Sequence, residues 1–325
     1  MNGIIIGLGY MGKTHLQAYA SIPKSRIVGI VDANKAQADL VAKEYGCKSF
    51  TSLDSALSTC KEEGTISFVD ICLPSPFHRE AAITAMDYGA DVIIEKPLAV
   101  SLDDAIAIVK KAEQLGRRVM IAHVCRFMPQ YDYIKNVVKS EKFGKPLFFG
   151  AWRQSEVPGW SKDNWLHDRS KSGGTIMDLM IHDIDIANWL FGSPKGFAAT
   201  EVGHPNHSGC SHVVTTLKYA NNAYASIEGG HLMPDGYPFL SGFRLVCEQG
   251  AIEWNTVHNK PGSIVEYSKG NAGFVSMENE TPANPYLNEL NHFIHALETK
   301  TPFKVDLQEA LLAVETVHNL LASMS

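Results

Sequence analysis

The chain has no run of eighteen consecutive apolar residues, the least that a membrane-spanning helix needs, and its first strand-like run begins at about residue 3. That leaves no room for a charged and apolar leader, so a cytoplasmic protein without a membrane partner is expected. No C-x-x-C pair occurs either: the cysteines at 47, 60, 72, 125, 210 and 247 are scattered, which fits reduced thiols filling space better than a disulfide frame or a zinc cluster. Positive charge is also short, with Lys+Arg 29 against Asp+Glu 35 and a net charge of −6. Nucleic acids and anionic membranes require a basic patch, so the expected partner is a small molecule. There are no repeats and no low-complexity linker. What is present is 325 residues with 45% hydrophobic content, too long for one ordinary core, so two closely packed domains are expected.

The most informative stretch is Ile4-Ile5-Ile6-Gly7-Leu8-Gly9-Tyr10-Met11-Gly12, a β-rich run emptying into G-x-G-x-x-G. Gly7 allows a tight turn, Gly9 lets the backbone approach a pyrophosphate, and Gly12 allows close helix-strand packing, with the N–H groups of this turn facing the anion. A helical run from Lys13 to Ala20 follows, then a second strand, Arg26 to Val31, ending at Asp32, twenty residues past Gly12, where a ribose-binding acid belongs. The carboxylate suits the ribose hydroxyls of NAD and repels the 2′-phosphate of NADP. Charges about 4 Å apart interact by roughly 1 kcal/mol in water and about 4 kcal/mol at a surface-like dielectric. Lys13 and Lys35 lie close enough in sequence to offset part of that repulsion, which leaves NADP open.

Up to about residue 121, strands at 3–7, 26–31, 66–72, 91–95 and 118–122 alternate with helices near 12–20, 34–45, 53–60, 77–88 and 101–115. Such alternation predicts a doubly wound parallel sheet, α/β in class. The third strand stops at Pro74-Ser75-Pro76 and the fourth at Lys96-Pro97, where proline keeps Lys96 out of a helix. Both stops are carboxyl ends, where open α/β sheets bind ligands. Beyond Ala122, β-rich segments near 146–153, 196–203, 210–219, 223–230, 241–248, 251–255 and 263–268 follow with few helices between them, which predicts an α+β domain on an antiparallel sheet. Asn221-Asn222 reads as a two-residue hairpin turn and Glu248-Gln249-Gly250 as a longer one. Helical runs at 286–298 and 306–322 close the chain.

Thr175 to Phe191, N-capped by Thr175 and stopped by Gly192, reads as one buried helix, because it holds no Lys, Arg or Glu. Within it Asp178, His182 and Asp185 are spaced four and then three apart, on one face and in reach of one another. A buried acid-imidazole-acid stripe is costly unless paired. It fits a satisfied structural network, a divalent metal site or an acid-base site.

Gly7-x-Gly9-x-x-Gly12, Asp32, Pro74-Ser75-Pro76-x-His78, Glu95-Lys96-Pro97, Arg126-Phe127, Gly173-Gly174 and Asp178-x-x-x-His182-x-x-Asp185 together resemble, in order and spacing, the glucose–fructose oxidoreductase / inositol dehydrogenase / MocA (Gfo/Idh/MocA) family of nicotinamide-dependent oxidoreductases. The likeness spans nearly the whole chain. It departs from the family at Thr175 and Phe77, where a third glycine and an asparagine are frequent. The resemblance implies a Rossmann dinucleotide-binding domain over 1–121 and an α+β substrate-binding domain with a large open antiparallel sheet over 122–302. A C-terminal helix over 303–325 returns towards the first domain, and the implied assembly is a homodimer or homotetramer through the open sheet. It further implies Lys96, Asp178 and His182 as the catalytic group. The implied cofactor contacts are Gly7, Gly9, Tyr10, Met11, Gly12, Asp32, Leu73, Pro74, Ser75, His78, Glu95 and Lys96, with NAD as the cofactor and NADP possible, and no metal.

The activity implied is oxidation of a secondary alcohol on a sugar, sugar derivative or cyclitol, with an NADP-linked keto-sugar or imine reductase as the second reading. A non-catalytic dinucleotide-binding sensor is the third, and it has no chemical reason to keep Lys96, Asp178 and His182 together. The substrate pocket is expected between the domains, with Arg126, Arg153, Trp165, His167 and Tyr286 joining Lys96, Asp178 and His182 as candidate contacts.

Overall fold

The computed structural model describes residues 1–159, 161–257, 263–276 and 284–324. The chain forms two compact units: Met1–Val124 with Asn284–Leu311, and Cys125–Ala283 with Leu312–Ser325.

In the first unit β1 (Asn2–Ile6), β2 (Arg26–Val31), β3 (Lys48–Phe50), β4 (Phe68–Ile71), β5 (Asp91–Glu95) and β6 (Val119–Ala122) form one parallel sheet in the order β3-β2-β1-β4-β5-β6. Crossovers run through α1 (Tyr10–Tyr19), α2 (Lys35–Tyr45), α3 (Leu53–Glu63), α4 (His78–Asp87) and α5 (Leu102–Leu115). The helices begin where polar caps stand: Asn34, Ser52 and Ser101 accept the N–H groups of Gln37, Ser55 and Asp104. Strands β1, β4, β5 and β6 are buried on both faces, as continuous apolar runs in a parallel sheet must be. Strand order reverses direction beside β1, which places a ligand crevice outside the carboxyl ends of β1 and β4. The short β3 was not anticipated, since three residues carry no readable period.

The second unit opens with α6 (Pro129–Ser140), a helix the sequence reading did not place, and continues into β7 (Pro146–Glu156). After α7 (Arg169–Ser172), α8 (Gly174–Asp178) and α9 (Ile181–Phe191) come β8 (Pro194–Gly203), β9 (Ser211–Tyr219), β10 (Tyr224–Met233), β11 (Leu240–Cys247), β12 (Gly250–Asn255), β13 (Ser263–Ser268) and β14 (Asn271–Ser276). The sheet order is β14-β13-β12-β11-β7-β10-β9-β8. It is mostly antiparallel, with one correction to the expectation: β7 and β10 run parallel, joined by the long excursion through α7–α9, β8 and β9. Along β9, Val213, Leu217 and Tyr219 are buried while Val214 and Lys218 are exposed, so one face carries α8 and α9 and the other is open.

The two expected hairpins exchange lengths. Residues 220–222 form a three-residue loop with Asn222 at φ 65°, closed by the Tyr219 N–H to Ala223 carbonyl bond at 2.9 Å. Residues 248–249 make the two-residue turn instead. Asparagine tolerates the left-handed conformation that a three-residue loop demands.

The final helices are α10 (Pro285–Thr299) and α11 (Leu307–Ser323). Expected in the second domain, α10 packs on α1 and belongs to the first unit, with Leu290, Phe293, Ile294 and Leu297 buried and the Phe293 ring edge-on to Phe68 at 5.5 Å. The first residues of α11 belong to the first unit and the rest to the second.

Candidate active site

The turn after β1 is built by close backbone approach. Gly7 has φ 95° and donates its N–H to Val31 O at 2.9 Å. A Cβ on Gly12 would lie 1.8 Å from Gly7 O, so α1 sits against the turn as only glycine permits. Gly9, the N-cap of α1, is the opposite case: a Cβ there meets nothing within 4 Å. Helix α1 begins at Tyr10, earlier than expected, and so directs its N-terminal end, with Tyr10, Met11 and Gly12, to this space, where the helix dipole favours an anion. Asp32 ties the turn to the end of β2: Leu8 N–H donates to Oδ2 and Asn34 N–H to Oδ1, each at 2.8 Å. The Gln37 amide donates to Leu8 O at 2.7 Å. Lys35, expected to temper the Asp32 charge, is engaged instead by Asp39 and Ser49. Open space at Gly9, a helix N-terminus and an adjacent carboxylate fit a dinucleotide.

At the carboxyl ends of β4 and β5, Leu73-Pro74-Ser75 turns into α4 and Glu95 leads into Lys96, whose peptide bond to Pro97 is cis. His78 is fully buried, with Nδ1 2.9 Å from Pro97 O and Nε2 2.9 Å from Leu73 O. Burial lowers its pKa and outweighs the two carbonyls. Expected as a cofactor contact, the ring instead straps the two loops together, because neither nitrogen faces open space. Glu95 is buried too: Oε1 is 3.1 Å from His15 Nε2, and Oε2 accepts the Lys96 N–H at 3.1 Å. Lys96 itself is half-buried.

In the second unit the expected single helix is broken. The N–H groups of Leu179 and Met180 both reach Thr175 O, at 2.9 and 3.1 Å, widening the turn between α8 and α9. Thr175 does not cap: its hydroxyl accepts the Ser211 N–H at 2.9 Å and donates to Ser211 O at 3.2 Å, fixing α8 to the start of β9. Asp178 therefore ends one helix and His182 begins the next, both half-buried.

Asp185, the third member of the stripe, is fully buried and holds Arg126, with Nε–Oδ2 at 2.8 Å and Nη2–Oδ1 at 2.7 Å. Asp183 does the same for Arg153, at 2.7 and 3.1 Å. Arg126 and Arg153, expected as substrate contacts, thus direct two donors each at buried carboxylates of their own unit, a supporting geometry. Arg153 also reaches Tyr131 Oη and Cys125 Sγ, both at 3.1 Å. Cys125 Sγ lies 3.8 Å from His182 Nδ1. Burial pushes that thiol up to about 11 despite Arg153, so it is neutral behind the imidazole.

Trp165 is half-buried in the turn before α7, and His167 donates through Nε2 to Pro158 O at 2.9 Å, with its ring 4.4 Å from that of His207. Tyr286, half-buried in the first turn of α10, stands with its ring 6.3 Å from His15. The sequence reading missed His15, Asp70, Tyr131 and Asp183. One signal was available: Asp70 is the lone charge in the otherwise apolar strand β4.

Residues 1–123 match the family described as "Oxidoreductase family, NAD-binding Rossmann fold", and residues 131–253 match the "GFO/IDH/MocA C-terminal domain". The chain is 24% identical over 316 residues, 94% of its length, to scyllo-inositol 2-dehydrogenase (NAD(+)) of Bacillus subtilis, covering 89% of that protein. It is 25% identical over 315 residues to D-xylose 1-dehydrogenase (NADP(+)) 2 of Haloferax volcanii, covering 96% of this chain and 94% of that one. In fold it is similar to levoglucosan dehydrogenase solved with NADH and levoglucosan, with a TM-score of 0.88, 22% identity, and 99% and 96% of the two chains covered.

Proposed function

The chain belongs to the Gfo/Idh/MocA family of NAD(P)-dependent oxidoreductases, and on that premise we propose that it oxidises a secondary alcohol of a sugar or cyclitol with NAD. The observation that carries this reading is the cradle: space at Gly9, α1 aimed at it, and Asp32 anchored at the adjacent strand end. Gly7 to Gly12, Leu73 to Ser75, Asp32 and Glu95 are the residues that hold the dinucleotide. Its nicotinamide, when bound, supplies the hydride acceptor. His182 takes the hydroxyl proton, while Lys96 donates to the reacting oxygen and stabilises the negative charge developing there. Asp178, four residues before it, orients His182. Arg126 and Arg153 act beneath, holding Asp185 and Asp183 on the helix that carries His182. Trp165 and Tyr286 are the aromatic candidates for the sugar face. The reverse reduction uses the same groups.

The substrate class rests on the relatives, whose names are those of inositol and sugar dehydrogenases. Among the described residues no helix is long and apolar enough to cross a membrane, and we place the enzyme in the cytoplasm. We assign the open face of the second sheet to assembly into homodimers or homotetramers. The pairing of β8, β9 and β10 puts the exposed Val202, Val214 and Tyr224 on that one face.

The test is NADH formation from NAD across a panel of inositols, aldoses and sugar acids, followed by His182→Ala and Lys96→Met on the best substrate. A positioned base is worth roughly 10²- to 10⁴-fold, so turnover falls by that range while NADH still binds. A His182→Ala enzyme that keeps most of its rate overturns the assignment. Binding of NADH with no turnover on any substrate favours the sensor.

A further inference from the structure

A polar cluster lies buried in the first unit, among elements whose ends form the cradle. His15 on α1 is fully buried, with Nδ1 2.9 Å from Asp70 Oδ2 on β4 and Nε2 3.1 Å from Glu95 Oε1 on β5. Cys72 donates its S–H to Asp70 Oδ1 at 3.3 Å, and burial keeps it a thiol. Tyr19 faces the same cluster from α1, and Glu289 and Tyr286 face it from α10.

Two facts set the favoured protonation states. Nδ1 is hydrogen-bonded to Asp70, while Nε2, buried and outside hydrogen-bond geometry, meets Glu95 Oε1 as an ion-pair contact at 3.1 Å; a ring between two carboxylates is favoured as the imidazolium. Burial works against that charge, and the Asp70 carboxylate in contact with Nδ1 works for it; the pKa is raised above the ordinary histidine range. Glu289 has both oxygens buried without a hydrogen-bond partner. Burial, and after it Glu95, raises its pKa well above the carboxylate range, which favours the protonated acid. The ligand atoms of His15, Asp70 and Cys72 lie within 4.8 Å of one another, as in a metal site. A metal, however, needs a bare ring nitrogen, whereas 2.9 Å from Nδ1 to a carboxylate oxygen is the length of a hydrogen bond.

We propose that His15 is a positioning residue of the dinucleotide site: its imidazolium, anchored by Asp70, clamps Glu95 and so fixes the Glu95–Lys96 peptide from which Lys96 leaves β5. The link is continuous. Asp70 hydrogen-bonds one edge of the ring, the other edge faces Glu95 Oε1 as an ion-pair contact at 3.1 Å, and Glu95 Oε2 takes the Lys96 N–H. The glycine-lined helix, which also carries His15, and the strand end that delivers Lys96 are thereby set as one piece. This role rests on the reading of Glu95 as a cofactor contact and Lys96 as a catalytic group.

The experiment has two arms. In wild-type protein labelled with ¹⁵N-histidine, assigned by difference from His15→Gln, both His15 ring nitrogens keep imidazolium shifts at pH 8. A neutral-tautomer or metal-bound pattern overturns the proposal. In NADH fluorescence titrations, His15→Gln and Glu95→Gln each weaken binding about tenfold, and the double variant stays within threefold of either single one, because both break the same clamp. Independent effects, near a hundredfold together, or a folded His15→Gln with wild-type affinity, overturn it. Where His15→Gln does not fold, His15→Asn supplies both the assignment and the titration, against the same outcomes. If wild-type protein binds no NADH, the functional reading falls and the positioning role with it, while the first arm still measures the charge of His15.

Discussion

Asp32 has a task in the fold and another proposed at the site. Its two oxygens take the N–H groups of Leu8 and Asn34, which ties the phosphate-binding turn to the end of β2, and the same charge stands where NADP would carry its extra phosphate. Lys35 is held by Asp39 and Ser49, which takes one of the two nearby lysines away from this charge. Wild-type enzyme is therefore expected to favour NAD, and Asp32→Asn, which keeps the shape and removes the charge, to compress the NAD-to-NADP ratio of kcat/KM. A compression of about tenfold corresponds to about 1.4 kcal/mol, inside the range of about 1 to 4 kcal/mol for charges 4 Å apart. A wild-type preference for NADP, or an unchanged ratio in the variant, would remove this role. Residues of this kind are legible in a sequence because their spacing is fixed by a turn: Gly7, Gly9, Gly12 and Asp32 are separated by one helix and one strand. The grouping of His15 and Glu289 with Asp70 and Glu95 was not legible, since contacts between residues 15, 70, 95 and 289 leave no local period.

At the scale of elements, strands and helices of the first unit were readable from their alternation, whereas the break between α8 and α9 was not. Composition marks that stretch as buried, but the widened turn goes with a tertiary contact, Thr175 to Ser211 on β9, that composition does not encode. The same limit hid the parallel pairing of β7 with β10 and the place of α10. Helix α10 also brings Glu289 into the core, with a consequence for stability. Its folded pKa is raised above the ordinary 4.5, so the folded state keeps a proton that the unfolded chain releases above that pH. Stability from this group is thus greatest below pH 4.5 and declines as pH rises towards the folded pKa. His15, raised above 6.5, acts in the same direction at higher pH. Glu289→Gln removes the first contribution: in urea melts between pH 5 and 8 its stability relative to wild type is expected to rise with pH, by at most about 1.4 kcal/mol per unit. A difference that stays flat over that range would mean that Glu289 is ionised in the folded protein.

For the whole molecule, chain order and compact units do not coincide. The chain leaves the first unit at Val124, returns to it at Asn284 and leaves again after Leu311, so the nucleotide-binding sheet is completed by a helix encoded some 160 residues after it. How much that helix contributes follows from what it buries. Leu290, Phe293, Ile294 and Leu297 are each at most 8% exposed. At roughly 1.5 to 3 kcal/mol per buried apolar side chain, four such residues supply about 6 to 12 kcal/mol, as much as the net stability of about 5 to 15 kcal/mol typical of a whole domain. A fragment of residues 1–124 therefore retains the strand pattern but leaves Phe68, which packs on Tyr19, without Phe293. Expressed alone it is expected to lack a cooperative thermal transition. Joined by a flexible linker to residues 284–311, it is expected to regain that transition and to bind NADH, because α10 restores both the apolar cover and Glu289 beside His15. Calorimetry and NADH fluorescence on the two fragments check this, and a cooperative transition in residues 1–124 alone would show that the first unit is complete without its returning helix.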